Sequence, residues 1–539
     1  MRTDAIVIGS GVNGLVAAAE LAGAGWSVTL VEGNDRLGGF IRSEERTLPG
    51  YIHDTYSSWH PLFVAGKAYA ALGDELHRRG LEFRNADGPV TASVADDGRV
   101  VVADRDPEQT AAGFAHPGDR ARYLAALRDL QDQAGPVNGL MAAELRSSAL
   151  LRHGAGLVRG LRRAGTERWL RDMVSSGRSW CRREFTGAEV DHLWIPWLLH
   201  AGLAPDHASG GFMLPVMAAT THGAGLPVVV GGAARFVEAF RSLLVERGVE
   251  IRTGAPVDRI LVQAGRAVGV AAGGETIWAN RAVLASVTPT ALYGELLPPG
   301  AVSHKIARQA RQFRYGRGEM QIHVALSAPL GWRDDRLSKI PLTHLSDGSG
   351  STGIACAQAE AGLLPERPTV VVGQQYVLDG SRVPDGRAAL WLQLHETPFA
   401  PVGDAAGRLT VTDGWTPALA KGYADRVLDR IGQHAPDLTA KVLAVDVITP
   451  ADLAAANPNA VAGDPYGGSA ELDQNFLWRP MPNAASHQTP VAGLWHIGAS
   501  THPGAGLGGA SGHLVAQILT RPGRVRAGTN AVASVLRRR

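Results

Sequence analysis

Asp4-Ala5-Ile6-Val7-Ile8-Gly9-Ser10-Gly11-Val12-Asn13-Gly14-Leu15-Val16-Ala17-Ala18-Ala19-Glu20-Leu21-Ala22 is the stretch on which the fold turns. The apolar run 5–8 is of strand type and ends on a glycine. The turn 9–14 opens directly into residues of strong helix propensity. Gly25 stops that helix, and Trp26-Ser27-Val28-Thr29-Leu30-Val31 predicts a second strand closing on Glu32. The result is one β-α-β unit. An isolated G-x-G-x-x-G arises by chance in a glycine-rich chain, but here its context is complete. The acid lies 18 residues beyond Gly14, close to the ~20 expected of a dinucleotide fingerprint. Gly9 makes the tight turn, and Gly11 lets the backbone approach a pyrophosphate. Val12 and Asn13 lie in that turn at the helix N-terminus, whose unpaired N–H groups and dipole favour an anion. Gly14 lets the helix close on the strand, and Glu32 is placed to accept from ribose hydroxyls.

Arg36-Leu37-Gly38-Gly39 follows the acid, and its glycine pair turns the chain back beside the pyrophosphate. That addition favours FAD over NAD. No second fingerprint occurs. The nearest, Val228-Val229-Val230-Gly231-Gly232-Ala233-Ala234-Arg235, lacks the spacing. Without a nicotinamide site, electrons are expected to enter from the substrate and leave to oxygen, a quinone or another acceptor.

The composition excludes several classes. With 45% apolar and 19% charged residues, the 539-residue chain is globular, not disordered. Its 53 basic against 51 acidic residues argue against a general nucleic-acid binder. Cys181 and Cys356 alone make neither a disulfide framework nor a multi-cysteine metal centre, and no metal site is expected. No uninterrupted apolar run reaches 18 residues, and no leader pattern precedes the first strand. A cytoplasmic protein is the expectation.

Further along, 236–247 has helical periodicity and 249–252 and 256–262 read as strands. The pair 267–270 and 276–279 predicts a hairpin, and 282–286 a separate buried strand. Near the C-terminus, Leu494-Trp495-His496-Ile497 leads through Gly498, Gly504, Gly506, Gly508, Gly509 and Gly512 into a helix over 514–519. Six glycines in 15 residues bring the backbone close to something flat or anionic. A helix N-terminus there would stabilise negative charge on a reduced flavin.

On these clusters the chain resembles the phytoene desaturase superfamily of flavoproteins. It is most similar to the branch holding carotenoid isomerases, retinol saturases and the pyridine nucleotide-disulfide oxidoreductase domain-containing protein 2 group. The likeness also rests on His53-Asp54-Thr55-Tyr56-Ser57-Ser58-Trp59-His60-Pro61, on 227–232, and on Asp473-Gln474-Asn475-Phe476 before Arg479-Pro480. It spans essentially 1–520. The resemblance implies an α/β fold, a glutathione-reductase-type FAD-binding Rossmann domain interrupted by an α+β substrate domain. The FAD domain would comprise 1–75, 220–300 and 451–520, and the substrate domain 76–219 and 301–450. By position, Glu32 would hold the ribose, and Arg36, Gly38 and Gly39 would border the pyrophosphate. Val257 would meet the adenine through its backbone. Gly498, Gly506, Gly508 and Gly509 would wrap the pyrophosphate, ribityl chain and flavin ring. Where family members often carry a basic residue after the glycine pair, this chain has Phe40 and reaches a base only at Arg42.

FAD is expected to be non-covalent. The implied reaction is hydride transfer from an activated C–H of an apolar, polyene or isoprenoid-like substrate to flavin N5. Isomerisation or saturation by reduced flavin, amine oxidation, and a low-turnover flavoprotein with an interaction role remain open. Strands over 320–326 and 389–395 alternate apolar with polar residues and offer His323 and His395 as acid-base candidates. His60 and His502 lie within flavin-proximal motifs and join them. Trp180, Trp194 and Trp197 suit either an apolar pocket or core packing. Residues 146–183 carry ten arginines and two acids. On a helical wheel Leu150, Leu157, Val158 and Leu161 oppose Arg152, Arg159 and Arg163, a pattern suited to reversible contact with an anionic membrane surface. Gly154, Gly156 and Gly160 weaken that helix. The basic tail 521–539 is expected to be disordered.

Overall fold

A computed structural model describes residues 2–521. The tail expectation therefore falls, from 522 onward, outside the described residues. Two seven-stranded sheets organise the chain. In the first, β1 (Arg2–Ile8) leads through the glycine turn into α1 (Val12–Gly23) and on to β2 (Val28–Val31). β1 and β2 pair in parallel from Ala5↔Val28 to Ile8↔Val31. Over the paired stretches Ala5–Ile8 and Val28–Val31 both strands are buried on each face and almost wholly apolar, as a sheet covered on both sides requires.

β3 (Glu275–Ala285) lies parallel to β1 on the other side, and Glu250–Arg252 extends the sheet beyond β2. The sequence predicts two strands where β3 is one. Its first half closes a hairpin on Arg266–Ala272, as expected, and then it continues. Pairing with β1 from Arg2↔Trp278 to Ile8↔Ala285 carries the strand through the exposed Asn280 and Arg281. Leu494–His496 pairs in parallel with the end of β3, from Val283↔Leu494 to Ala285↔His496. The glycine-rich loop and α2 (Ala510–Thr520) follow, and α2 packs on α1.

The second sheet is mostly antiparallel. It places β4 (Gly318–Leu326) beside β5 (Ala388–Thr397), in register from Met320↔Leu394 to Leu326↔Ala388. One face of this pair (Met320, Ile322, Leu392, Leu394) packs into an apolar core that includes Tyr423 and Val427 of helix Pro417–Gly432. The opposite face carries the alternate, mostly polar positions.

Trp180 and Trp194 are core residues of a helical layer, packed with Phe185 and Tyr123. Trp197 belongs to the same cluster but also reaches the cavity described below. The glycines do not stop residues 148–174 from being helical, but Ser148–Val174 is two helical segments meeting at a kink at Arg162, where φ is 56°. All four predicted apolar residues precede that break, and even so they do not form one buried side. Leu150, Leu157 and Leu161 are half-buried, whereas Val158 is exposed beside Arg159.

Candidate active site

The start of α1 is built to receive an anion. Gly11 caps it with no side chain, and no acid stands in its first turn. α2 likewise begins at Gly509 without a side-chain cap or a first-turn acid. The N–H groups that open a helix have no partner within it; at the second start Asn13 takes the Gly512 N–H, and the remaining donors of both ends are open to a ligand. A Cβ at Gly11 would meet nothing within 4 Å, so the space beside this backbone is open. A Cβ at Gly14 would lie 1.9 Å from the Gly9 carbonyl oxygen, so that glycine closes the helix on the turn. Glu32 is buried. Its Oε2 accepts from the Ser10 N–H at 2.8 Å and the Ser10 hydroxyl at 2.6 Å, and its Oε1 accepts from the Asn34 N–H at 2.9 Å. The carboxylate thus fixes the turn, and each oxygen keeps lone-pair capacity for a ribose hydroxyl.

From this cradle a cavity of about 470 Å³ runs toward the second sheet. Gly11, Val12, Asn13, Gly38, Gly39, Gly498 and Gly506 line it at the cradle. Gly508 stands behind it, where a Cβ would approach the Leu62 carbonyl oxygen at 3.2 Å. Arg36 points elsewhere. Its side chain is mostly exposed and pairs with Glu44, which Arg42 also holds at 2.5 Å. Val257 is half-buried at the start of the strand Val257–Gln263. Met213, Val216, Met217, Leu226, Trp197 and Tyr466 line the cavity beyond the cradle, with Glu319, Gln321, Gln393 and His395 on the wall formed from β4 and β5. Arg479, named from its motif, donates to the Ala499, Ser469 and Tyr466 carbonyls and so ties the glycine-rich loop to the 466–469 segment. Burial lowers its pKa to about 10.

Of the four histidine candidates, only His395 reaches the cavity wall. His60 lies in the core, stacked on Phe236 with centroids 5.3 Å apart and neither ring nitrogen bonded. Burial pushes its pKa down to about 4. His323 sits one layer back, where its ring nitrogens face the Asp54 carbonyl at 3.1 Å and Asp446 at 3.3 Å. His502 is buried beside the cavity-lining Pro503, and burial lowers its pKa to about 4. His200, absent from the sequence expectations, does line the cavity, as do Glu319 and Tyr466. The polar-apolar alternation of β4 contained Glu319, but nothing local distinguished it from a surface acid.

The profile of the family described as flavin containing amine oxidoreductase matches residues 13–396. The chain belongs to that family. Within it, the chain stands with the phytoene desaturase-like FAD oxidoreductases. It is 26% identical over 571 residues to the pyridine nucleotide-disulfide oxidoreductase domain-containing protein 2 of Rattus norvegicus, covering 96% of this chain and 93% of the relative. It is 28% identical over 534 residues to the hydroxyneurosporene desaturase of Cereibacter sphaeroides, covering 93% and 94%. Its fold is that of putrescine oxidase with bound putrescine, at a TM-score of 0.61 and 17% identity over 97% of this chain and 100% of the other. The chain is thus an FAD-dependent oxidoreductase, and the uncapped helix starts and open glycine backbone fit that cofactor. Among the described residues no helix is long and apolar enough to cross a membrane.

Proposed function

We propose that this flavoenzyme dehydrogenates an apolar, polyene or isoprenoid-like substrate, introducing a double bond. Bound FAD supplies the hydride acceptor. The protein's part is to bind, orient and exclude water. The observation that carries the reading is the apolar wall of methionine, valine, leucine and tryptophan in the cavity that opens from the cofactor cradle. The name of the hydroxyneurosporene desaturase relative supports it. An amine substrate is less well served. Among the described residues Glu319 is the only acid lining the cavity, and its two oxygens already accept from His395 and Gln393. Oxygen or a quinone is the proposed final acceptor. Anaerobic mixing of the holoprotein with a detergent-solubilised hydroxylated carotenoid should bleach the visible flavin band. Bleaching by a diamine and by no polyene would overturn the reading in favour of amine oxidation. Reduced-flavin isomerisation or saturation would instead show turnover only after prior reduction.

The same reading includes reversible contact of 146–183 with an anionic membrane surface. Leu151 and Leu170 are 75% and 64% exposed among the arginines of the kinked helix. Met141 and Leu62 line the cavity and are also 40% and 47% exposed, which marks a mouth beside that helix. Each arginine near a charged leaflet adds about 1 kcal/mol, screened beyond ~8 Å at physiological salt. Sedimentation with anionic vesicles that fails at low salt, or that equals sedimentation with neutral ones, would remove this part of the proposal.

A further inference from the structure

The inward face of β4 and β5 has an unusual composition for buried strands. Gln321 lies opposite Gln393, and Glu319 and His395 continue the same face, while the alternate positions fill an apolar core. Polar groups in such a place are costly unless partnered, so their arrangement calls for a use. Glu319 gives Oε1 to His395 Nδ1 at 2.5 Å and Oε2 to the Gln393 amide at 2.6 Å. The Tyr466 hydroxyl, 2.9 Å from the same Nδ1, donates to the Leu199 carbonyl at 2.9 Å. The carboxylate and the phenol oxygen therefore keep the His395 proton on Nδ1. Nε2 is left with a lone pair, buried and without a hydrogen-bond partner. The His200 ring meets His395 edge-on at 4.4 Å, and its Nε2 lies 2.9 Å from His344 Nε2.

We propose that His395 Nε2, backed by Glu319, is the general base of the reaction, a role that rests on the dehydrogenase reading above. Desaturation removes two hydrogens from adjacent carbons. One would leave as hydride with its electron pair, for which FAD, when bound, would supply the acceptor. The other leaves as a proton to His395 Nε2, and the C–H electrons it leaves behind become the new double bond. The imidazolium so formed is held against the Glu319 carboxylate. This is the carboxylate-histidine logic by which hydrolytic enzymes orient and stabilise a base. Glu319 is the positioning residue.

The cluster has room for one such proton. Burial, reinforced by the other imidazoles, holds His200 well below its ordinary pKa, and burial lowers His344 to about 3. The charged or titratable groups facing His395 are Glu319, Tyr466, His200, His344 and the buried Glu396, whose pKa burial raises, with Arg317 beyond Glu396. Of these, the Glu319 carboxylate is the one hydrogen-bonded to the ring and so placed to stabilise its charge.

The test uses FAD-loaded protein and needs no substrate. The visible flavin spectrum and midpoint potential of wild type are followed as a function of pH. An ionisation sensed by the flavin is expected to vanish in His395→Gln and to move in Glu319→Gln. Identical titrations in wild type and His395→Gln would overturn the proposal, because a base that the flavin does not sense is not beside the reacting carbons. If His395→Gln fails to fold or to keep FAD, an unmoved ionisation in Glu319→Gln overturns it instead. With any compound that bleaches the flavin, His395→Gln should slow reduction roughly 10²- to 10⁴-fold while leaving the half-saturating concentration in place. If no polyene bleaches the flavin but the ionisation behaves as described, the substrate reading fails while the base remains.

Discussion

The Gly512 N–H donates to the Asn13 side-chain oxygen at 3.1 Å, joining the starts of two helices 499 residues apart in the chain. A Cβ on Gly512 would lie 2.0 Å from the Asn13 carbonyl oxygen, so the helices approach as closely as backbone permits. Gly512→Ala must push them apart. Overpacking of this kind costs about 1–3 kcal/mol. A lower unfolding midpoint and weaker FAD retention are expected, and an unchanged midpoint would mean that the contact carries no stability.

Gly11 and Gly14 make a contrasting pair in one turn. Gly14→Ala drives its methyl into the Gly9 carbonyl and should destabilise the fold with or without cofactor. Gly11→Ala meets nothing in the protein and should leave the stability of the cofactor-free chain unchanged. Its methyl would stand where the backbone approaches the pyrophosphate. FAD affinity should fall at least tenfold, or about 1.4 kcal/mol. Calorimetry of the apoprotein beside an FAD titration separates the two effects.

Glu32→Ala should weaken FAD binding by about ten- to a hundredfold, from the roughly 1.5–3 kcal/mol of a charged hydrogen bond. Because Glu32 also holds Ser10 and Asn34, some loss of apoprotein stability should accompany it. An unchanged dissociation constant would remove Glu32 from the ribose site.

Acid precipitation should release the yellow colour into the supernatant. Both cysteines are buried and neither lines the cavity, so neither is placed to form a thioether to the flavin. Colour kept in the pellet would count against a non-covalent cofactor.

Stability should fall as the pH drops below about 6.5. His60, His496 and His502 are lowered to about 4, and His53 and His344 to about 3, in each case chiefly by burial. Unfolded, these rings bind protons near pH 6.5, so between that value and the folded values the unfolded state holds more protons and is favoured. Above about 6.5 their contribution should be flat. His60, stacked on Phe236 and bonded to nothing, offers the cleanest check. His60→Phe should keep FAD and shallow the acid slope of the unfolding midpoint. Loss of flavin reduction in that variant would restore His60 as a functional group.

The parts of the molecule legible in the sequence were those written in neighbouring residues. The β-α-β unit, the second glycine pair and the glycine-rich loop before α2 each carry their signal within a few turns of chain. The site wall does not. Glu319 and His395 meet only because β4 pairs with β5 across 76 residues, and His200 reaches His344 across 144. His60 shows the reverse failure. Its motif is local, but the aromatic stack that takes it out of the cavity comes from Phe236, on a helix far along the chain.

The joining of Asn13 to Gly512 also sets a clock on biosynthesis. At roughly 5–20 residues per second, a ribosome takes about 25–100 s to cover the 499 positions from one to the other. Throughout that interval the first half of the cofactor cradle exists without the second. A chain cut short before Gly498 holds the fingerprint but lacks the loop that closes over it. Tight FAD loading thus waits on near-complete synthesis, and cofactor capture can act as proof-reading that sorts finished chains from truncated ones.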